Sequence, residues 1–552
     1  MESTRIQLGP GVVGLVVAGL VVVAGCDEPP ATADAGTDAG STPQDAGPPP
    51  QDTGPPAQDT GVDTGIDAGI DAGAPDGGGL VVPDTYTFES RFEPGASSVA
   101  YSGQVARQVL LADLRRFMDT LTDPIRSGTY VARDVDGDGT TDTMAQTVRY
   151  DIGYWYDARA SERVDDPHRL SDPSSPMFVQ TTYGELSRTA FLREKVAGQA
   201  DAATDHRDWS TRFVGFRDAS LFRGASIDVS TPHGLLEAIF STLAANAQDE
   251  SEGILRRDPG GALLPVHLTA DGLHLGQLAE KFMLGALAFQ QAADKYLDDE
   301  EGDPGVGLLA PNTRSGTNRY TALEHAWDEG YGYFGAPRHA SRIALADLVG
   351  MSRAFDGDSD GRIDLMSEWL FPTARYAALR DNGSAAGART SFFAAAERAF
   401  RTGRAIIAGA GETLTPDEMA AVRAQRDIAI QNWERALAAT AISYLNAVIR
   451  HTLAIGTPSY SFAAHAGAWS EMKAFALAFQ FHRRSPMLEM EGGEERFVRL
   501  HRLLRDAPAL ADDPPDERRA YVSDLLTARS LLGRAYGFAD ANLGDAMGVG
   551  GW

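Results

Sequence analysis

From Gln104 onward, apolar residues recur every three or four positions in segment after segment, the spacing that collects them on one face of an α-helix. The clearest predicted helices cover 104–121, 233–247, 276–297, 340–355, 391–408, 416–450 and 465–482. The longest opens on Thr415-Pro416-Asp417-Glu418, a capping box with proline at the first helical position. Only Thr147 to Tyr156, "TVRYDIGYWY", alternates as a strand would, and it predicts a small β-ribbon. The pattern therefore predicts an all-α body over 84–552, built as one large helical bundle or as two divided within 297–340.

The first 83 residues follow a different pattern. An apolar run from Val12 to Val23 is too short to span a bilayer and is followed by small residues, so 1–25 read as an export signal. From Asp27 to Pro83 the chain consists of Asp-Ala-Gly and Asp-Thr-Gly units broken by proline pairs, with too little apolar surface to fold. Residues 26–83 are thus a predicted disordered tether. The tether carries eleven acidic residues and no Lys or Arg; of the formal net charge of −28, this leaves −17 on the body. That acidity argues against a nucleic-acid partner and favours cationic over acidic ligands. Cys26 is the only cysteine, which excludes intrachain disulfides and thiol catalysis.

The end of the apolar run, Val23-Ala24-Gly25-Cys26, resembles the bacterial lipoprotein signal, although Glu2 offsets Arg5 at the start. The resemblance implies that Cys26 becomes the lipid-bearing first residue of a mature chain. That chain would be anchored in the cell envelope, at the outer membrane or cell surface.

Two runs have the spacing of calcium loops. In "DGDSDGRIDLMSE", Asp356, Asp358 and Asp360 stand at alternate positions, Gly361 allows a sharp turn, Arg362 takes the seventh place and Asp364 the ninth. This loop resembles an EF-hand, with predicted helices at 340–353 and 365–380 on its flanks, but its twelfth place is Ser367 and Glu368 comes one residue late. In "DVDGDGTTD", Asp134, Asp136, Asp138 and Asp142 repeat the spacing between extended flanks, which resembles the calcium loops of extracellular repeat modules. The alternative for each is an acidic solvated turn.

A third stretch, "HAWDEGYGYFG", places His325, Asp328 and Glu329 at i, i+3 and i+4 of a predicted helix, with Trp327 turned inward and Gly330 and Gly332 ending it. Such a triplet suits a metal ligand set, a proton relay or an intrahelical ion pair. "HAGAWSE" repeats the ingredients with His465 and Glu471, as if two helices offered similar groups to one interior. Gln277, Glu280 and Lys281 lie on a strongly apolar helix, where buried charges need partners. No His-Glu-x-x-His helix, phosphate-binding glycine loop or serine elbow is present.

Together "YSGQVARQVLLADL", "FLREKVAG", "QLAEKFMLGALAFQQAADKYL", "EHAWDEGYGYFG" and "HAGAWSE" resemble an uncharacterised family of bacterial surface lipoproteins defined by one large domain of unknown function. A looser likeness is to imelysin-like proteins, exported helical double bundles associated with iron uptake, whose signature is Gly-x-His-x-x-Glu. His325 and Asp328 match it with Leu323 in place of the glycine, and "GLHLGQ" supplies Gly272 and His274 but ends in Gln277. Together with calcium in the two aspartate loops, this likeness leads to the expectation of a lipid-anchored binding protein with iron, zinc, copper or another small ligand in its body. The rival expectations are a metal-dependent hydrolase, with His325 holding the ion and Glu329 as general base, and a purely structural surface lipoprotein.

Overall fold

Eleven α-helices of nine or more residues form the body in a computed structural model that describes residues 80–170, 177–199, 205–224, 227–300 and 306–552. The predicted export signal, Cys26 and all but the last residues of the tether lie outside the described residues. In chain order the helices are α1 Ser102–Thr120, α2 Met144–Tyr156, α3 Pro232–Ser251, α4 Leu275–Met283, α5 Ala322–Phe334, α6 Pro372–Gly383, α7 Phe392–Gly409, α8 Pro416–Ala454, α9 Phe462–Leu477, α10 Gly493–Leu504 and α11 Pro515–Tyr536. Among the described residues there is no sheet, only isolated bridges, and no helix is long and apolar enough to cross a membrane.

The 39-residue helix α8 is the spine. Its capping box forms as predicted: Thr415 Oγ1 accepts the Glu418 N–H at 3.2 Å, and Glu418 Oε2 accepts the Thr415 N–H at 2.7 Å. Helices α7 and α9 pack along it, and α6 and α11 touch it further along. Helix α4 lies between α1 and α9 and runs on as π-helix through Leu284–Phe289 and Gln291–Tyr296. Gly285 allows the close approach there, since a Cβ at that position would meet the Ala478 Cβ at 2.6 Å.

Three local predictions are corrected. The expected ribbon at Thr147–Tyr156 is helical, part of α2. Thr143 and Gln146 cap it reciprocally, and its buried residues Val148, Ile152, Trp155 and Tyr156 share one helical face. Of the tyrosines that suggested alternation, Tyr150 is exposed and Tyr154 half-buried, while Tyr156 joins the buried face. The predicted helix over 340–355 shrinks to the single turns Ala340–Arg342 and Leu345–Leu348. Helix α5 continues past Gly330 and Gly332 and ends at Gly335 in the left-handed conformation. The two inner glycines instead admit neighbours: a Cβ on Gly330 would meet Leu297 at 3.0 Å, and one on Gly332 would meet Tyr101 at 2.7 Å.

Candidate functional site

The predicted triplet on α5 divides between two environments. Asp328 is fully buried, accepting from Arg404 Nε at 2.9 Å, from the Tyr86 hydroxyl at 2.8 Å and from the Ala100 N–H at 3.1 Å. The same guanidinium reaches Glu324 at 3.0 Å and the Ser98 hydroxyl at 2.8 Å. Asp328 is therefore one arm of a buried ion-pair network that ties α5 to α7 and the first described segment. His325 faces the other way, stacked on Tyr320 with ring centroids 4.5 Å apart, its Nδ1 bonded to the Ala100 carbonyl at 3.0 Å. Its Nε2 stands 3.8 Å from Glu329, which also accepts from Gln104. The triplet offers no common point for a ligand.

His465 and Glu471 separate in the same way. His465 packs against Thr452, Tyr460 and His451 with no carboxylate among these partners. Burial, reinforced by the His451 charge, pushes it down to about 3. The unfolded imidazole keeps its ordinary value near 6.5, so this contribution to stability is complete above pH 6.5 and is lost as pH falls from 6.5 towards 3. The loss at pH 5 is expected to be about 2 kcal/mol, and His465→Leu should flatten that slope in urea unfolding measured at pH 5 and pH 7.

Glu471 instead joins the polar cluster expected around α4. Lys281 Nζ lies 2.7 Å from Glu280 and 3.9 Å from Glu471, and Arg115 reaches Glu280 at 3.0 Å. Burial would raise Glu280, but Lys281 and Arg115 hold it below its ordinary value. Glu471 has no such close partner. Burial pushes it up to about 7, and its Oε1 accepts no hydrogen bond.

Arg115 connects this cluster to a three-residue group that could hold a metal ion, made of Asp119, His267 and His274, whose ligand atoms all lie within 4.8 Å of one another. Asp119 sits in the last turn of α1, where Arg115 Nε donates to its Oδ2 at 2.7 Å and leaves Oδ1 buried without a hydrogen bond. The histidines come from a tight turn before α4. The Thr269 N–H bonds the Leu273 carbonyl, Gly272 is left-handed, and Leu268 bridges His274, so residues seven apart in sequence stand side by side. Their rings stack with centroids 4.7 Å apart.

The electrostatics leave lone pairs available. Burial lowers His267 and outweighs the nearby Asp119, while burial, Arg115 and His267 hold His274 well below its ordinary value, so both rings are neutral near pH 7. His267 Nδ1 has no hydrogen-bond partner. His274 Nδ1 accepts only a long 3.4 Å bond from the Gln277 N–H and stands 4.0 Å from Asp119 Oδ1. Its backbone N–H is held by the Ser470 hydroxyl of α9 at 2.8 Å. Two imidazoles and one carboxylate are the ligand set of many zinc and iron centres. Ligand atoms around a tetrahedral zinc lie about 3.3 Å apart, so side-chain shifts of about 1 Å would close this group on an ion. Gly276 keeps the space open, since a Cβ there would fall 2.3 Å from Asp119 Oδ1. His274 was legible as half of a motif; His267 could have been found from the pair of histidines flanking Asp271-Gly272, and Asp119 had no local signal.

The two aspartate loops lie apart from that group. In the first, Asp134 accepts from the Gly137 and Gly139 N–H groups, Asp138 from Thr140 and Asp142 from Val135, while Asp134, Asp136 and Asp142 offer oxygens within 4.8 Å. It leads directly into α2. In the second, Asp356, Asp358 and Asp360 converge likewise, and Gly361 takes the predicted left-handed turn. Asp356 accepts from Gly361, Asp358 from Asp360, and Asp360 from the Arg362 N–H. Its flanks depart from the EF-hand: an Ala354–Trp369 bridge closes its base, and Ile363 pairs with Phe178 where helices were expected. Glu368 is turned back into the loop, accepting from Gly357 and Asp364, and Asp364 accepts from Gln180 at 2.8 Å.

The family model of a domain of unknown function (DUF4856) matches residues 187–364. That stretch contains His267, His274 and Asp356 to Asp364, while Asp119 lies outside it. No curated protein and no solved structure matches the chain.

Proposed function

We propose that this chain is a lipid-anchored protein of the cell envelope whose helical body binds one transition-metal ion through Asp119, His267 and His274. The observation that carries the metal is the convergence of three ligand-bearing side chains in one place, together with Asp119 Oδ1 and His267 Nδ1, which are buried without a hydrogen bond. Leaving such atoms unpaired costs stability unless something else engages them. Two neutral imidazoles with one carboxylate favour zinc or iron, with copper also accommodated, over calcium or magnesium. Arg115 orients Asp119 as an outer partner, the role that second-layer groups take around metal ligands. Cys26 and the preceding apolar run support the anchor.

The test is equilibrium dialysis of the full chain against zinc in excess calcium, followed by elemental analysis. One zinc per chain is expected, falling to none in His267→Ala. Zinc retained at full occupancy in that variant would place the metal elsewhere.

Calcium in the two aspartate loops belongs to the same reading, supported by hard oxygen ligands at alternate positions around a left-handed glycine. Millimolar calcium is expected to raise the melting temperature, and Asp356→Ala combined with Asp358→Ala to remove most of the rise. An unchanged melting temperature in the wild-type chain would contradict it.

A further inference from the structure

A surface cavity of about 480 Å³, whose lining includes none of Asp119, His267 and His274, opens between the C-terminal half of α1, the C-terminal half of α2 and the segment around Pro167. Its size suits a small organic molecule. Five aromatic rings line it: Phe117, Tyr130, Tyr154, Trp155 and Tyr183. They pack edge to face or tilted, with Trp155 in the middle at 5.1 Å from both Phe117 and Tyr154. The remaining charged lining is two carboxylates, Asp151 and Asp166, and one guanidinium, Arg169.

The hydrogen bonding restricts what this cavity offers a guest. Tyr130 donates its hydroxyl to Asp151 at 2.6 Å, Tyr154 donates to Asp166, and Tyr183 donates to the buried Asp113 at 2.6 Å. The Trp155 N–H is taken up by Tyr183 at 3.0 Å. The aromatic groups thus have their donors committed, two of them to the cavity's own carboxylates, and what remains is ring surface beside carboxylate. Such a surface attracts a cation that needs few hydrogen bonds. The molecule already uses it that way, because the exposed Arg169 places its guanidinium 5.2 Å from the Trp155 ring centroid.

We propose that this cavity is a binding site for a small alkylated ammonium ion, with the aromatic rings as its cage, Asp166 as its counter-charge, since Asp151 is already paired with Arg133, and Arg169 as an internal competitor for the Trp155 face. The acidity of the body, −17 once the tether is set aside, favours the same sign of guest. This site is independent of the metal reading, since it shares no residue with Asp119, His267 or His274.

The probes are choline and its neutral isostere 3,3-dimethylbutanol, titrated calorimetrically into the full chain in the presence of a chelator. Choline is expected to bind at least about tenfold more tightly than the isostere, the margin expected of a cation–π cage with a nearby carboxylate. Asp166→Asn, a change at an exposed side chain, should weaken choline about fivefold. Arg169→Ala should strengthen it, because it removes both a competitor and a like charge. Equal binding of the two probes, loss of binding in Arg169→Ala, or no choline binding at tens of millimolar to the folded chain would each overturn the proposal.

Discussion

Arg404→Met is expected to destabilise the body by about 3–5 kcal/mol, the largest effect of any single change considered, measured as the shift in urea unfolding at pH 7. The guanidinium is fully buried and holds two carboxylates, Asp328 and Glu324, at 2.9 and 3.0 Å. Methionine fills a similar volume but leaves Asp328 without its counter-charge, and Glu324 with only Arg91 at 3.4 Å, in a site that water does not reach. Burial already raises Asp328, and Arg404 is foremost among the groups that oppose the rise. The variant should therefore also become less unstable, relative to wild type, as pH falls and Asp328 takes up a proton. A loss below about 1 kcal/mol would mean that the network is dispensable and that Asp328 is free for another role.

His274→Leu is expected to act in the opposite manner, with little effect on the metal-free chain and a large one on the metal-bound chain. A ligand that binds only the folded state stabilises it by about 2.7 kcal/mol at a hundred times its Kd. Wild-type protein with zinc at that excess should gain about that much, and the variant should gain almost none. The apo variant should lose little, because leucine keeps the apolar packing of this largely buried, neutral ring and gives up only a long capping bond to the Gln277 N–H. Equal stabilisation by zinc in both chains would remove His274 from the ligand set.

Those two cases show what the amino-acid order revealed and what it concealed. Helical periodicity gave α1, α3, α7, α8 and α9 nearly to their ends, because each carries a long series of apolar positions, all round the helix in α9, and α8 a capping box as well. It failed at Thr147–Tyr156, where a short apolar run fits two periods and the Thr143–Gln146 cap decides for helix. Asp328 resembled a ligand because its neutralising partner, Arg404, lies 76 residues away. Asp119 went unnoticed for the converse reason: its partners His267 and His274 approach only when α1 packs against α4. The aspartate loops were legible because their oxygens come from one continuous stretch. Their flanks were not, since the Phe178–Ile363 and Ala354–Trp369 pairings are long-range.

The most direct test of the central claim is the visible absorption spectrum of the full chain titrated with cobalt(II), a spectroscopic substitute for zinc. The account predicts d–d bands of low-coordinate nitrogen and oxygen ligation that saturate at one equivalent, are displaced by zinc, and disappear in Asp119→Ala and in His267→Ala. Bands that persist unchanged in both variants, or a spectrum no different from hydrated cobalt, would contradict it.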